Sequence, residues 1–201
     1  ALTPRGEALV EPVRASLEQI RTTILTPEVF DPAISERTVA IAAIDVVIQV
    51  LLSKLVPILA CEAPGMVLEL SALNNEPATM LQRGHADIVI MLDYLVAPDQ
   101  PSEWLYDEDF VVVGWAENPH LQGEMTRDLF DQLGHVSVRV SRESLGFDEL
   151  ALRRLGIHRR VETIAPSFVS VPRLLLGTER VAVIHRRLAM QVEKTLPVKL
   201  F

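Results

Sequence analysis

RTVAIAAIDVVIQVLLSKLVPILACEAPGMVLELSA, residues 37–72, decides the fold. Residues 37–44 (RTVAIAAI) are a mostly apolar run, the pattern of a strand buried on both faces. Residues 45–63 follow as an apolar helix that Pro57 interrupts or tightens. Pro64 and Gly65 make a turn, and residues 66–72 (MVLELSA) form a second strand. Working outward, residues 76–83 read as a short helix with Pro77 in its first turn and Gly84 at its close. Residues 87–92 (DIVIML) are a third, near-continuous apolar strand. A β-α-β-α-β series with buried strands predicts a parallel sheet covered on both faces.

A Pro-bearing segment at residues 97–101 marks a boundary. Beyond it, strands are expected at residues 105–115, 136–140, 160–164, 180–184 and 198–201. Helices are expected at 126–133, 147–155, 167–176 and 186–193, with Gly156 and Gly177 ending two of them. This is a second α/β unit, with no internal repeat and no low-complexity tract. Two such lobes joined by extended crossovers leave a cleft, and open α/β sheets bind ligands at the carboxyl ends of their strands.

Upstream, residues 1–25 read as one long amphipathic helix. Leu2, Leu9, Val13, Leu17, Ile20 and Ile24 recur every three or four residues, Thr3 is placed to cap, and Pro4 takes the first helical position. Thr26-Pro27 stops the helix, and residues 28–36 form a turn-rich linker. The stripe is narrow, closer to a coiled-coil seam than to a core face. It predicts a connector that pairs with a partner helix; the alternative is an ordinary helix lying on its own domain.

Composition excludes several classes. A net charge of −8 argues against this segment gripping nucleic acid, since a phosphate-binding surface needs clustered Lys and Arg. Its basic runs, Arg153-Arg154, His158-Arg159-Arg160 and His185-Arg186-Arg187, read as solvated surface or helix ends. The longest apolar stretch, residues 39–63, is broken by Asp45, Gln49, Ser53, Lys54 and Glu62, so it is a strand and a helix rather than a membrane span. No basic-then-apolar secretory signal opens the sequence, and the single cysteine, Cys61, rules out an internal disulfide, so a cytoplasmic setting is expected. Cys61 lies among apolar helix residues and is expected to be a small core residue.

Catalytic motifs are missing. No phosphate-cradling glycine loop or nucleophile elbow occurs, and His85, His120, His135, His158 and His185 are isolated from one another and from Cys61. No catalytic residue, metal or cofactor is expected. Positions suited to a small ligand do stand out at strand–helix junctions. Asp45 ends the first strand, where it would cap the following helix or touch a ligand. Residues 141–144 (SRES) occupy the matching place in the second unit, and Pro166-Ser167-Phe168 lies at a third junction. Phe147 and Phe168 are placed to act as an aromatic wall or as plain core.

The opening LTPRGEALVEPVRASLEQIR resembles the linker helix of LysR-type transcriptional regulators. EAPGMVLEL with LQRGHADIVIML is similar to that family's first effector lobe. LGIHRRVETIAPSFVSVPRLLLGTERVAVIHRRLA is similar to the second. AIDVV and IAPSFVSVPRLLLGT resemble the branch that contains NodD and the regulators of naphthalene, nitroaromatic and chloroaromatic pathways. The resemblance implies an α/β, two-lobed, periplasmic-binding-protein-like (type 2) effector domain preceded by a linker and dimerisation helix. Residues 1–25 would be the linker, 36–98 the first lobe, lacking its C-terminal part, and 99–201 the second. It implies a small aromatic inducer, phenolic or chloroaromatic, between the lobes, held by Asp45, Val46 and Asp93 from one side and by Arg139, Ser144, Leu145, Phe147, Ser167 and Phe168 from the other. It further implies a homodimer or homotetramer, operator DNA bound through a winged helix-turn-helix domain, RNA polymerase as a partner, and allosteric control of an aromatic-catabolism operon. Three departures stand out: Ile44 precedes Asp45 where the family often has Ser or Thr, His185 replaces a proline, and the family's return to the first lobe is not reached by residue 201. A solute-binding protein of transport systems is the alternative. Third is a two-lobed enzyme resembling porphobilinogen deaminase or a prephenate-dehydratase-like lobe, for which no catalytic constellation is found.

Overall fold

The computed structural model describes residues 3–24, 30–74, 76–97, 100–139 and 147–201. Its first element, α1 (Pro4–Ile24), begins where Thr3 accepts the Gly6 amide on its hydroxyl (3.2 Å) and the Glu7 amide on its carbonyl (2.9 Å). Leu9, Val13 and Leu17 are more than half exposed along it, so α1 does not lie with this face on its own domain.

Three parallel strands build the first lobe: β1 (Thr38–Ala43), β2 (Val67–Ser71) and β3 (Ile88–Ile90), in the order β2-β1-β3. Side-chain alternation splits the central strand between two cores. Ile41 and Ala43 pack with Val47, Leu52, Leu70 and Ile90 on one face. Ala42 packs with Met80 and Ala86 on the other, against α4 (Pro77–Gln82).

The helix after β1 is irregular in a way not expected from sequence. It runs as α2 (Asp45–Val47), a π-helical turn (Ile48–Leu52) and α3 (Ser53–Glu62). Pro57 sits inside α3, and the departure from α geometry comes one turn ahead of it. In the π turn the Ser53 amide reaches the Ile48 carbonyl, five residues back, and the Ser53 hydroxyl takes the Gln49 carbonyl at 2.6 Å. The wider turn aims this segment two ways: Val47 and Leu52 enter the first lobe's core, while Val46 and Val50 enter the second's. The outer end, α3, buries none of its residues, so Cys61 is exposed rather than in the core.

The second lobe is a five-stranded mixed sheet ordered β6-β5-β7-β4-β8: β4 (Phe110–Trp115), β5 (Gly134–Val138), β6 (Arg160–Ala165), β7 (Val181–His185) and β8 (Val198–Leu200). β5, β6 and β7 run parallel; β4 is antiparallel to β7 and β8. The strand expected from residue 105 starts only at Phe110. The sheet's helices are α5 (Arg127–Gln132), α6 (Phe147–Arg154), α7 (Val171–Leu175) and α8 (Arg186–Val192). Thr126 caps α5 by accepting the Leu129 amide at 3.2 Å. Val111, Val113, Val136, Val138, Ala182 and Ile184 form the core face with Phe168, α7 and α8. Among the described residues no helix is long and apolar enough to cross a membrane.

The basic run His158-Arg159-Arg160 is not wholly solvated. The Arg159 side chain is 1% exposed and donates to Ser137 Oγ (2.8 Å) and Glu149 Oε2 (3.3 Å). Burial raises the Glu149 carboxyl's pKa, but the Arg153 and Arg159 guanidiniums outweigh it and hold the group below the usual carboxylate range.

Candidate functional site

The lobes meet at the carboxyl ends of β1 and β6. Ile44, in extended conformation, is the residue before the helix and offers no side-chain cap; Asp45 is the first helical residue. Asp45 Oδ1 accepts the Val46 amide at 2.9 Å. Oδ2 faces the other lobe, where it accepts the Ser167 hydroxyl at 2.6 Å and the Val169 amide at 3.0 Å. The cap expected for Asp45's own helix is thus spent largely on a turn in the second lobe. That turn, residues 167–170, is closed by Ser170 Oγ donating to the Ser167 carbonyl at 2.8 Å, which delays α7 until Val171. Hydrogen bonds to a charged group contribute about 1.5–3 kcal/mol each, so the two that reach across from Ser167 and Val169 add to the apolar packing that joins the lobes.

Below the carboxylate the joint is apolar. Val46 is 1% exposed and packs with Phe168 (2%) in the second lobe's core. The His185 ring lies between two phenylalanines, 4.7 Å from Phe168 edge-on and 4.7 Å from Phe110, tilted. His185, 5% exposed at the end of β7, belongs to the site's floor rather than to a solvated basic run.

A second contact crosses the lobes. Asp93 opens a 3₁₀ turn (Asp93–Leu95) after β3 and accepts the Tyr94 amide on Oδ1 at 2.8 Å. The Arg154 guanidinium from the end of α6 stands 4.5 Å over the Tyr94 ring. Burial pushes the Tyr94 hydroxyl's pKa up; Arg154 opposes this and Asp93 adds to it. Arg139, just past β5, donates its amide to the Ala165 carbonyl, and its exposed side chain makes no hydrogen bond or ion pair among the described residues. Ser144 and Leu145 lie outside the described residues. Phe147 opens α6, and its side chain lies outside them too.

The structure therefore gathers Asp45, Val46, Ser167 and Phe168 at one joint and places Asp93 at a second. Sequence reasoning missed Val50, Val169, the Tyr94–Arg154 stack and the burial of His185. Val169 contributes through its backbone and gives no residue-type signal. The His185-for-proline departure was the available hint for the ring stack.

Among the described residues nothing at either joint forms a nucleophile, base and orienter, and no cluster of His, Cys, Asp or Glu fits a metal ion. The arrangement is a carboxylate that accepts three hydrogen bonds over an apolar floor, where the two sheets meet. A cavity of about 500 Å³ opens at the far, amino-terminal end of the second sheet. There Glu162 bridges Arg160 (3.1 Å) and Arg180 (2.8 Å), and His120 meets Glu179 at 3.3 Å.

Residues 34–198 match the family model described as the LysR substrate binding domain. Over 198 residues the chain is 34% identical to Nodulation protein D 1 of Sinorhizobium fredii (strain NBRC 101917 / NGR234), covering 98% of this chain and 62% of that one. It is 35% identical to Nodulation protein D 1 of Rhizobium meliloti (strain 1021), covering 98% and 65%. The chain thus spans less than two thirds of the length of these relatives. Among solved structures it superposes on a probable transcriptional regulator from Pseudomonas aeruginosa with a TM-score of 0.78 and 26% identity, over 99% of this chain and 67% of that one.

Proposed function

The chain belongs to the LysR substrate-binding domain family, a type 2 periplasmic-binding-protein-like fold, and from that premise we propose that it is the inducer-sensing part of a LysR-type transcriptional regulator. It takes a small aromatic molecule where its two lobes meet, at the carboxyl ends of the strands. Asp45, Val46, Asp93, Arg139, Ser144, Leu145, Phe147, Ser167 and Phe168 are the proposed contact set. Asp45, Ser167 and Asp93 supply polar contacts, and the ring floor around Phe168 supplies the apolar one.

The observation that carries this reading is the double attachment of residues 45–50. Asp45 is bonded to Ser167 and Val169 of the second lobe while Val47 is packed in the first. A molecule that rearranges this segment changes how the lobes sit. Such a ligand acts by binding one lobe arrangement better than the other. The exposed stripe of α1 pairs with another copy's helix and transmits the change to DNA-binding segments outside this chain. RNA polymerase is a further proposed partner of the whole regulator. The controlled genes are those that respond to the aromatic inducer, an aromatic-catabolism operon being the case proposed. The solute-binding reading has no comparable support, since the matched family and the matched structure are of regulators.

A thermal-shift screen with phenols, chlorophenols, hydroquinones, salicylate-like acids and flavonoids tests this, because a ligand of the folded state raises Tm by mass action. One aromatic class is expected to raise Tm in a dose-dependent way. A rise with sugars or amino acids and none with any aromatic would overturn it.

A further inference from the structure

The first crossover between the lobes leads from the turn after β3 to the start of β4, and each end carries a tyrosine whose ring faces an arginine of the second lobe. Arg154 stands 4.5 Å from the Tyr94 ring centroid and Arg187 stands 4.7 Å from that of Tyr106. We propose that this crossover is a strap, pinned to the second lobe at its Tyr106 end and held at its Tyr94 end by a releasable clasp that biases the resting arrangement of the lobes.

The two ends differ in what backs the stack. At the Tyr106 end the Arg187 amide donates to Glu108 Oε1 at 3.2 Å, Arg187 Nη2 donates to the Asp107 carbonyl at 3.1 Å, and Arg187 Nε lies 3.3 Å from Glu108 Oε2. The Arg186 amide donates to the Asp109 carbonyl at 2.8 Å, so the first amides of α8 close on the strap, His185 offering them no side-chain cap. At the Tyr94 end the stack stands alone. Among the described residues the Arg154 side chain makes no hydrogen bond or ion pair, and Tyr94 is 46% exposed. Each partner is nevertheless fixed in its own lobe. Asp93 Oδ1 takes the Tyr94 amide, and Ile90, just ahead of that turn, packs against the first core. Leu152 seats α6 beside Phe130 and Val183 of the second lobe. The stack therefore couples two anchored elements through one half-exposed contact, whose loss shifts an equilibrium about two- to fivefold. The Asp45 joint is backed by buried Val46 and Val50, so the clasp is the contact that yields first. On the effector reading above, loosening the clasp changes the apparent affinity of the effector by up to the same factor.

Electron–electron distance measurement between spin labels on Cys61, exposed in the first lobe, and on Lys194→Cys, exposed in the second, reads the lobe arrangement with no effector added. It decides the clasp even if no aromatic binds and the effector reading fails. Tyr94→Ala and Arg154→Gln are each expected to raise the population away from the main distance about two- to fivefold, and the two together no further. Tyr94→Phe keeps the ring face and is expected to match the unaltered chain. So is Tyr106→Ala, because Glu108 still pins that end of the strap. Tm is expected to stay within about 2–4 °C in every variant, and Arg154→Gln, altering an exposed side chain, serves if Tyr94→Ala does not fold. A distance distribution that Arg154→Gln leaves unchanged would overturn the inference, as would Tyr94→Phe or Tyr106→Ala moving it as far as Tyr94→Ala does.

Discussion

Asp45 and Ser167 each stood out in the sequence as polar residues at a strand–helix junction, yet nothing in it paired them. They are 122 residues apart, and the bond between them exists only because both sheets present their carboxyl ends to one seam. The same seam explains why Val46 and Phe168 are nearly solvent-free: residues chosen for facing a ligand face the partner lobe first. His135 poses a different residue-scale question. It is fully buried on β5, with Nε2 2.9 Å from the Phe130 carbonyl and its ring 4.4 Å from the Phe130 ring. Burial lowers its pKa below 6.5, with the Phe130 hydrogen bond only partly opposing. The unfolded chain therefore binds the proton more readily than the fold does. Stability is full above the unfolded pKa and is lost as pH falls from about 6.5 toward the folded value. Tm measured between about pH 7.5 and 5 is expected to decline, and His135→Gln to flatten that decline. An unchanged slope in the variant would assign the loss to other groups. Glu149, held low by its arginines, adds its own loss only at more acid pH, below about 4.5.

At the scale of elements, periodicity and punctuation located nearly every helix and strand, because each follows from local sequence. Gly84, Gly156 and Gly177, the glycines expected to close helices, all have positive φ, as such caps require. Errors arose where a tertiary contact set the boundary. The turn at 167–170, tied to Asp45, shortens α7, and the π turn at Ile48–Leu52 arises where one segment must feed two cores. The antiparallel direction of β4 follows from its place between β7 and β8, which no residue pattern announces. Among the described residues α1 leaves one stripe uncovered: Leu9, Val13, Leu17 and Ile20 are about half exposed on it. Placing a charge on that stripe with Leu9→Glu and Val13→Glu is expected to lower the association state in sedimentation equilibrium and leave the Tm of the lobes within about 2–4 °C. An unchanged association state would remove α1 from the interface.

At the scale of the whole molecule, the described residues join the two lobes through the bridging segment packed into the second core, the Asp45 carboxylate and the Arg154–Tyr94 stack. The two-lobed architecture was legible because alternating buried strands and helices leave few other solutions. The nature of the joint was not, since it is made of long-range pairs. On the proposed function, the effector acts by favouring one arrangement of these contacts over another. The cavity at the far end of the second sheet supplies the natural contrast, being charged and remote from both joints. The decisive measurement is amide chemical-shift mapping of the ¹⁵N-labelled chain during titration with the aromatic that raises Tm most. Perturbations are expected at Ala43–Val46, Leu92–Tyr94 and Ser167–Val169, on both lobes at once. Shifts confined to the His120, Arg160 and Arg180 end, with the joint untouched, would contradict sensing between the lobes.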